Sequence, residues 1–222
     1  MIKAILVDVD GVLVHGRPAD GKPWATFLEA DLGVSPALLQ QEFFTPYWEA
    51  IVTGQLDLYQ PLARALARIA PGVSADAFIT YWFENDALLD TQLLNALSHQ
   101  RQAGIKVYLA TNQEHLRAAF LTEQLGLGSQ CDGLYYSAAL GYKKPDPRFY
   151  EKITDLSGFS PGQLLLLDDT PANVLAAKKL GWQAVEWTKG NNLSAIVALS
   201  AADAQTPPPA PTSDHTPPVV PR

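Results

Sequence analysis

The sequence predicts an α/β protein: a parallel sheet with helices on both faces and a block of helices inserted after the first strand. Three observations predict it. Short apolar runs recur at 5–7, 105–110, 131–137, 163–169 and 183–187. Each of the last four is followed by a stretch at helical period, the alternation that builds a parallel sheet. Between 17 and 88 the alternation stops, and only helical patterns are found.

Taken in order, the first run lies in "MIKAILVDVDGVLV" and drives straight into Asp8, Asp10 and Gly11. Ionised carboxylates are costly to bury and repel each other at short range, so they need a counterion, a reaction or exposure. The insertion then reads "PWATFLEADLG", "SPALLQQEFF", "YQPLARALARI" and "SADAFITYWFEN", all with apolar residues at helical spacing. Ser35-Pro36 is a helix start, a capping residue followed by proline in the first turn; Ser74 is placed similarly without the proline. The chain returns to the core near Asp90. There "IKVYLA" precedes "NQEHLRAAFLTEQLG", "CDGLYYS" precedes "DPRFYEKITDLSG", "QLLLLDD" precedes "PANVLAAKKLG", and "QAVEW" precedes "NLSAIVALS". Gly104, Gly126, Gly158 and Gly181 fall where left-handed helix ends are wanted. The expected organisation is a Rossmann-like core of 1–16 and 89–200, a helical cap of 17–88, and a disordered tail of 201–222. That tail holds seven of the 17 prolines.

Composition narrows the function. With 222 residues, 47% hydrophobic and 18% charged, the chain supports a sizeable core without a metal or disulfide staple. A net charge of −7 and the lack of a basic stripe argue against nucleic acid. The lone Cys131 excludes an intramolecular disulfide and fits a reducing compartment. No apolar stretch reaches the roughly 20 residues of a membrane span, and Asp8 arrives too early for a signal peptide. The expectation is a cytoplasmic protein without a membrane or nucleic-acid partner. Its oligomeric state stays open.

In open parallel sheets ligands bind beyond the carboxyl ends of the strands. Those ends carry Asp8 and Asp10, then Thr111-Asn112, then Lys144 in "GYKKPD", then Asp168-Asp169. Each has a plainer reading. The acids suit turns or caps, Thr111-Asn112 suits a helix cap, and Lys144 suits a solvated loop. Their joint occurrence at successive strand ends is what points to a site.

The motifs "DVDGV", "ATN", "GYKKPD" and "LLLDDTPAN" together resemble the haloacid dehalogenase-like hydrolase superfamily, in its branch with a helical cap after the first strand. They are similar to those of the phosphatase domain of soluble epoxide hydrolases and of bacterial sugar-phosphate phosphatases. The resemblance implies a Mg²⁺-dependent phosphomonoester hydrolase acting on a small phosphorylated metabolite. Asp8 would be the nucleophile and form an aspartyl-phosphate, and Asp10 the general acid and base, its pKa raised by neighbouring carboxylates. Asp8, Asp169 and the Asp10 carbonyl would hold Mg²⁺, with Asp168 orienting a metal-bound water. Thr111, the Asn112 amide and Lys144 would bind phosphate, and Lys144 would also hold Asp8. Asn173 would support Lys144 or the metal shell, or else lie on the helix surface. Dehalogenases of the superfamily lack an acid at the Asp10 position, which favours phosphoryl transfer. A phosphomutase and a silent binding protein remain alternatives; the long insertion argues against a response-regulator receiver domain.

The cap would choose the substrate by closing over the rim. His15 and Arg17 would contact the leaving group or serve as solvated flap charges. Tyr47, Trp48, Tyr81 and Trp82 would line the site or pack the cap. The same motifs serve sugar phosphates, phosphoglycolate, nucleotides and flavin phosphates, so they leave the leaving group unnamed.

Overall fold

The computed structural model describes residues 1–203. Its centre is β1 (Ala4–Val7), whose four residues are buried on both faces. Side chains alternate across a strand. Ile5 and Val7 therefore join one hydrophobic cluster with Leu109, Leu165 and Leu167. Ala4 and Leu6 join another with Phe149, Tyr150, Leu164 and Leu166. These two clusters are the two faces of one sheet.

The other strands are β2 (Lys106–Thr111), β3 (Gly133–Tyr136), β4 (Leu164–Asp168) and β5 (Gln183–Glu186). All neighbours pair in parallel, in the order β3-β2-β1-β4-β5. Val7 stands opposite both Leu109 and Leu167, so Asp8 emerges level with the ends of β2 and β4. The fold class is the one read from the sequence.

Between β1 and β2 lie α1 (Leu28–Leu32), α2 (Pro36–Leu39), α3 (Thr45–Val52), α4 (Tyr59–Ile69), α5 (Ala75–Asn85) and α6 (Thr91–Gln102). The helices from α1 to α5 enclose a core of their own, Leu28, Phe43, Ile51, Leu62, Phe78 and Trp82 among it. The chain stays helical past Phe44, where the sequence pattern stopped, because a π-type turn at Gln40–Phe44 leads directly into α3. Pro46 follows closely on that π-type turn and brings no N–H to the continuous helix. The two serines differ. Ser74 Oγ accepts from Ala77 N at 3.1 Å, whereas Ser35 stands at the start of α2 without a side-chain capping bond.

After β2 come α7 (His115–Ala119), α8 (Leu127–Gln130), α9 (Ser137–Leu140), α10 (Pro147–Ser157), α11 (Pro171–Lys179) and α12 (Leu193–Asp203). β3 is shorter than the run 131–137, because Ser137 already begins α9. Gly104, Gly126, Gly158 and Gly181 all take positive φ, as the helix-end reading required. Since α12 extends to Asp203, helix overlaps the first residues assigned to the tail; the rest of 201–222 lies outside the described residues. No helix among the described residues is long and apolar enough to cross a membrane.

Candidate active site

Every strand-end residue singled out in the sequence sits on the carboxyl side of the sheet, and the central ones interlock. Lys144 is only 2% exposed, and its Nζ lies 2.9 Å from Asp8 Oδ1 and 2.6 Å from Asp168 Oδ2. One ammonium thus balances two carboxylates. A buried cation between two anions has its pKa raised, because both favour its charged form against the cost of desolvation.

Asp168 is fully buried and uses both oxygens. Oδ2 takes Lys144, while Oδ1 accepts from Thr170 N and Asn173 Nδ2, both at 2.9 Å. Asn173 is buried, not on the helix surface, and its carbonyl accepts from the Tyr150 hydroxyl at 3.0 Å. A chain Tyr150–Asn173–Asp168–Lys144–Asp8 therefore fixes the floor.

Asp8 Oδ1 accepts from Val9 N at 2.8 Å as well as meeting Lys144, and neither contact uses Oδ2. Burial is the largest influence on this carboxyl and raises its pKa to about 7, with Lys144 opposing and Asp168 reinforcing the rise. A carboxyl that is hard to ionise in an otherwise polar floor fits a site completed by a cation. Asp8, Asp168 and Asp169 each offer an oxygen within 4.8 Å of the others. The all-carboxylate donor set suits a hard cation such as Mg²⁺. Asp169 is exposed and lies against Gly11, where an added Cβ would stand 2.2 Å from Asp169 Oδ2. The glycine of "DVDGV" clears that carboxylate as well as turning the chain at φ 81°.

Asp10 faces the opening, its side chain 53% exposed. Oδ2 accepts from Gln113 Nε2 at 2.6 Å, and Oδ1 lies 3.9 Å from Arg117 Nη2. Its pKa is raised chiefly by desolvation, with Arg117 and Gln113 opposing. Like-charge repulsion from Asp169, the kind of cause expected from the sequence, adds little to that rise.

Thr111 closes β2 and is 1% exposed. Asn112 is tied to the backbone of Lys144. Its Nδ2 donates to Lys144 O at 3.0 Å and its Oδ1 accepts from Lys144 N at 2.8 Å. Both functions of the amide hold the lysine's backbone, so Asn112 positions Lys144, while Nδ2 carries a second N–H beyond that bond.

The cap residues also separate. Trp82 is 7% exposed, with Trp24, Phe44, Trp48, Phe78 and Phe83 around it at ring distances of 5.2–6.3 Å. It packs in the core of the helical layer, the second of the two readings offered by the sequence. Trp48 is half-buried at the edge of that cluster. Tyr47 is packed against the same core, and the Tyr81 hydroxyl donates to Asp31 at 2.8 Å. Arg17 stays 3.3 Å from Asp20 with its guanidinium over the Phe27 ring at 4.7 Å. His15 lies 3.8 Å from Asp90. These contacts engage the flap and the returning chain.

Sequence reasoning missed Gln113, Arg117 and Asp86. Arg117 is 2% exposed, donates to Phe83 O at 3.1 Å and to Asp86 O, and lies 3.4 Å from the Asp86 carboxylate. Burial raises the Asp86 pKa to about 6, Asp10 adding to the rise and Arg117 opposing it. The signal was available: helical spacing puts Arg117 on the same face as buried Leu121, an inward-pointing cation.

A model of the haloacid dehalogenase-like hydrolase family matches residues 2–181. A phosphoglycolate phosphatase of Rhodospirillum rubrum is 30% identical over 216 residues, spanning 90% of this chain and 86% of the relative. A sesquiterpene phosphatase of Aspergillus oryzae is 29% identical over 185 residues, spanning 81% of this chain and 86% of the relative. In fold, the chain superposes on a HAD family enzyme of Bacteroides thetaiotaomicron, solved with magnesium and inorganic phosphate. The TM-score is 0.72 at 18% identity, covering 88% of this chain and 99% of that one.

Proposed function

Since the chain belongs to the haloacid dehalogenase-like hydrolases and is a phosphatase of that superfamily, we propose that it cleaves a small phosphomonoester in two displacements on Asp8. The observation that carries this reading is the Asp8–Lys144–Asp168 floor with Asp10 held beside it at the opening.

Asp8 Oδ2 attacks phosphorus as the bond to the leaving oxygen breaks. Asp10 delivers its proton to that oxygen, so an alcohol departs and an aspartyl-phosphate remains. The Asp10 carboxylate then takes a proton from water, whose oxygen attacks phosphorus, releasing phosphate and restoring Asp8. Dividing the displacement lowers each barrier, and the proton transfers contribute ~10²–10⁴-fold. Lys144 neutralises the reacting oxygens and locks Asp8 in one orientation, while Thr111 binds a phosphate oxygen.

Asp8 and Asp169, with the Asp10 carbonyl, would hold Mg²⁺. When bound, it supplies positive charge to the phosphoryl oxygens and keeps Asp8 ionised. Asp168 acts from behind, since both its oxygens are already engaged.

The R. rubrum relative makes 2-phosphoglycolate the first substrate to try, and the A. oryzae relative makes a prenyl phosphate the second. The test is phosphate release from a panel holding both, with and without Mg²⁺, for wild type and Asp8→Asn. Mg²⁺-dependent turnover that vanishes in Asp8→Asn is expected. Equal activity in both proteins would remove Asp8 as nucleophile.

A further inference from the structure

Arg117 belongs to the core, on α7, yet most of its contacts are made with the end of α5 in the helical layer. Its guanidinium donates to the carbonyls of Phe83 and Asp86 and pairs with the Asp86 carboxylate. It also lies over the Phe83 ring at 5.2 Å and the core's Phe120 ring at 5.3 Å. A cation at a helix carboxyl end is doubly favoured, by the orphan carbonyls and by the helix dipole. From the same position Nη2 reaches to 3.9 Å of Asp10 Oδ1.

The elements around it leave little freedom. Glu114 accepts from the backbone N–H groups of Leu116 and Arg117, fixing the start of α7. Gln113, one residue earlier, holds the other Asp10 oxygen. Its carbonyl in turn accepts from Ser137 Oγ and Ala138 N, both at 3.1 Å. Asp10 is thus held at two points, one anchored wholly in the core and one anchored across the boundary.

We propose that Arg117 is a positioning residue that ties placement of the Asp10 carboxyl to docking of the helical layer, so that the leaving oxygen is protonated only when the layer is closed. The inference rests on the reading of Asp10 as the proton donor. If the end of α5 moves away, the guanidinium loses two carbonyl acceptors and Asp86 together, and only Gln113 still holds Asp10. A misplacement of about 1 Å costs on the order of 100-fold in rate. Coupling the acid to closure keeps the reacting phosphoryl group away from bulk water until the donor is in place.

The leaving group supplies the test. An alkoxide needs a proton, whereas para-nitrophenolate departs without one. We would measure kcat/KM, which reports the first displacement, on 2-phosphoglycolate or glycerol 3-phosphate and on para-nitrophenyl phosphate. Arg117→Met should lose about 100-fold on the alkyl ester and less than tenfold on the aryl ester. Arg117→Lys should regain about tenfold of the alkyl loss, since it keeps the charge but not the bridging fork. Asp86→Asn should show the same selectivity at about three- to tenfold.

Equal losses on both esters, or none, in protein with native near-ultraviolet dichroism would overturn the proposal. If Arg117→Met does not fold, the Asp86→Asn ratio decides alone, and an unchanged ratio rejects the coupling. Asp10→Asn separates the two claims. A selective alkyl loss there with flat Arg117 and Asp86 variants rejects only the coupling, whereas no selective loss in Asp10→Asn removes the acid itself.

Discussion

At the carboxyl edge of the sheet Asp8, Lys144 and Asp168 are 8, 2 and 0% exposed, whereas at the heart of the helical layer Trp82, 7% exposed, is surrounded by five aromatic rings. Both places are dry, but they are dry for opposite ends. Aromatic burial is favourable in itself. Buried charges are costly unless paired, and breaking a pair costs more than never having made it. The floor of the candidate site therefore holds a costly carboxyl, Asp8, that the apolar layers beneath and above it sustain. Replacing Asp8, the floor's hard-to-ionise carboxyl, should remove activity while sparing or raising stability, and substitutions in the layer should do the reverse.

The largest effect tests the floor. Asp8→Asn removes the proposed nucleophile and should lower turnover by about 10⁴-fold or more. Its stability should move the other way. The folded-state pKa of Asp8, about 7, lies above its ordinary 3.8. The folded state thus binds the proton more tightly than the unfolded state, and stability falls as pH rises from about 4 to 7. At pH 8 without Mg²⁺, wild type carries that penalty and Asp8→Asn does not, so the variant should melt at the same temperature or higher. A lower melting temperature would mean that Asp8 stabilises the fold, and the contrast between floor and layer would fail.

Trp82→Ala is the converse. Removing a buried tryptophan from this cluster should cost ~3–5 kcal/mol in denaturant unfolding. At a temperature where the variant is folded, kcat on para-nitrophenyl phosphate should stay within about tenfold of wild type. A loss as large as that of Asp8→Asn in folded protein would place Trp82 in the chemistry.

These two residues also show what a sequence makes legible. The five strands were readable because buried parallel strands are continuous apolar runs, and the site's members because they stand at those runs' ends. "LLLLDD" shows both at once. What was hidden depends on partners brought together from far along the chain. Asn112 reads as a phosphate ligand, but its bonds to Lys144, 32 residues away, at both ends of the amide are not readable from the sequence. Trp82 sits between Tyr81 and Phe83, and only packing distinguishes a ring turned inward from one turned to substrate. Arg117 was legible in principle from its place on an apolar face, though not its grip on Asp86 and Asp10.

Metal binding sharpens the comparison at smaller scale. A proton held on Asp8 up to about pH 7 must leave before a cation can take its place. Mg²⁺ affinity should weaken by about tenfold from pH 8 to pH 6, with close to one proton released per ion at pH 6 and little at pH 8. Calorimetry in two buffers of different ionisation enthalpy measures both quantities. An affinity independent of pH would show Asp8 already ionised without the metal, and the floor would be better balanced by Lys144 than its burial implies.

The smallest effect belongs to the seam between the two regions, away from Arg117. Lys143 pairs with Glu49 of α3, the two side chains 36% and 71% exposed. Close by, Gly54 lies so near the core that an added Cβ would be 2.2 Å from Ala138 O. The backbone approach and the ion pair join the same two surfaces, but water reaches only the pair. Exposed pairs contribute ~0–1 kcal/mol and weaken with salt. Lys143→Ala should therefore shift stability by less than about 1 kcal/mol and change kcat/KM by less than about threefold, an effect that fades further at 0.5 M salt. Its neighbour Lys144 has the same charge but lies buried between Asp8 and Asp168, so Lys144→Met should cost ~3–5 kcal/mol and activity together. Two adjacent lysines with such different consequences would show that burial of the partners, rather than charge, decides what an ion pair does in this protein. Equal effects from the two substitutions would show the seam to be as constrained as the floor.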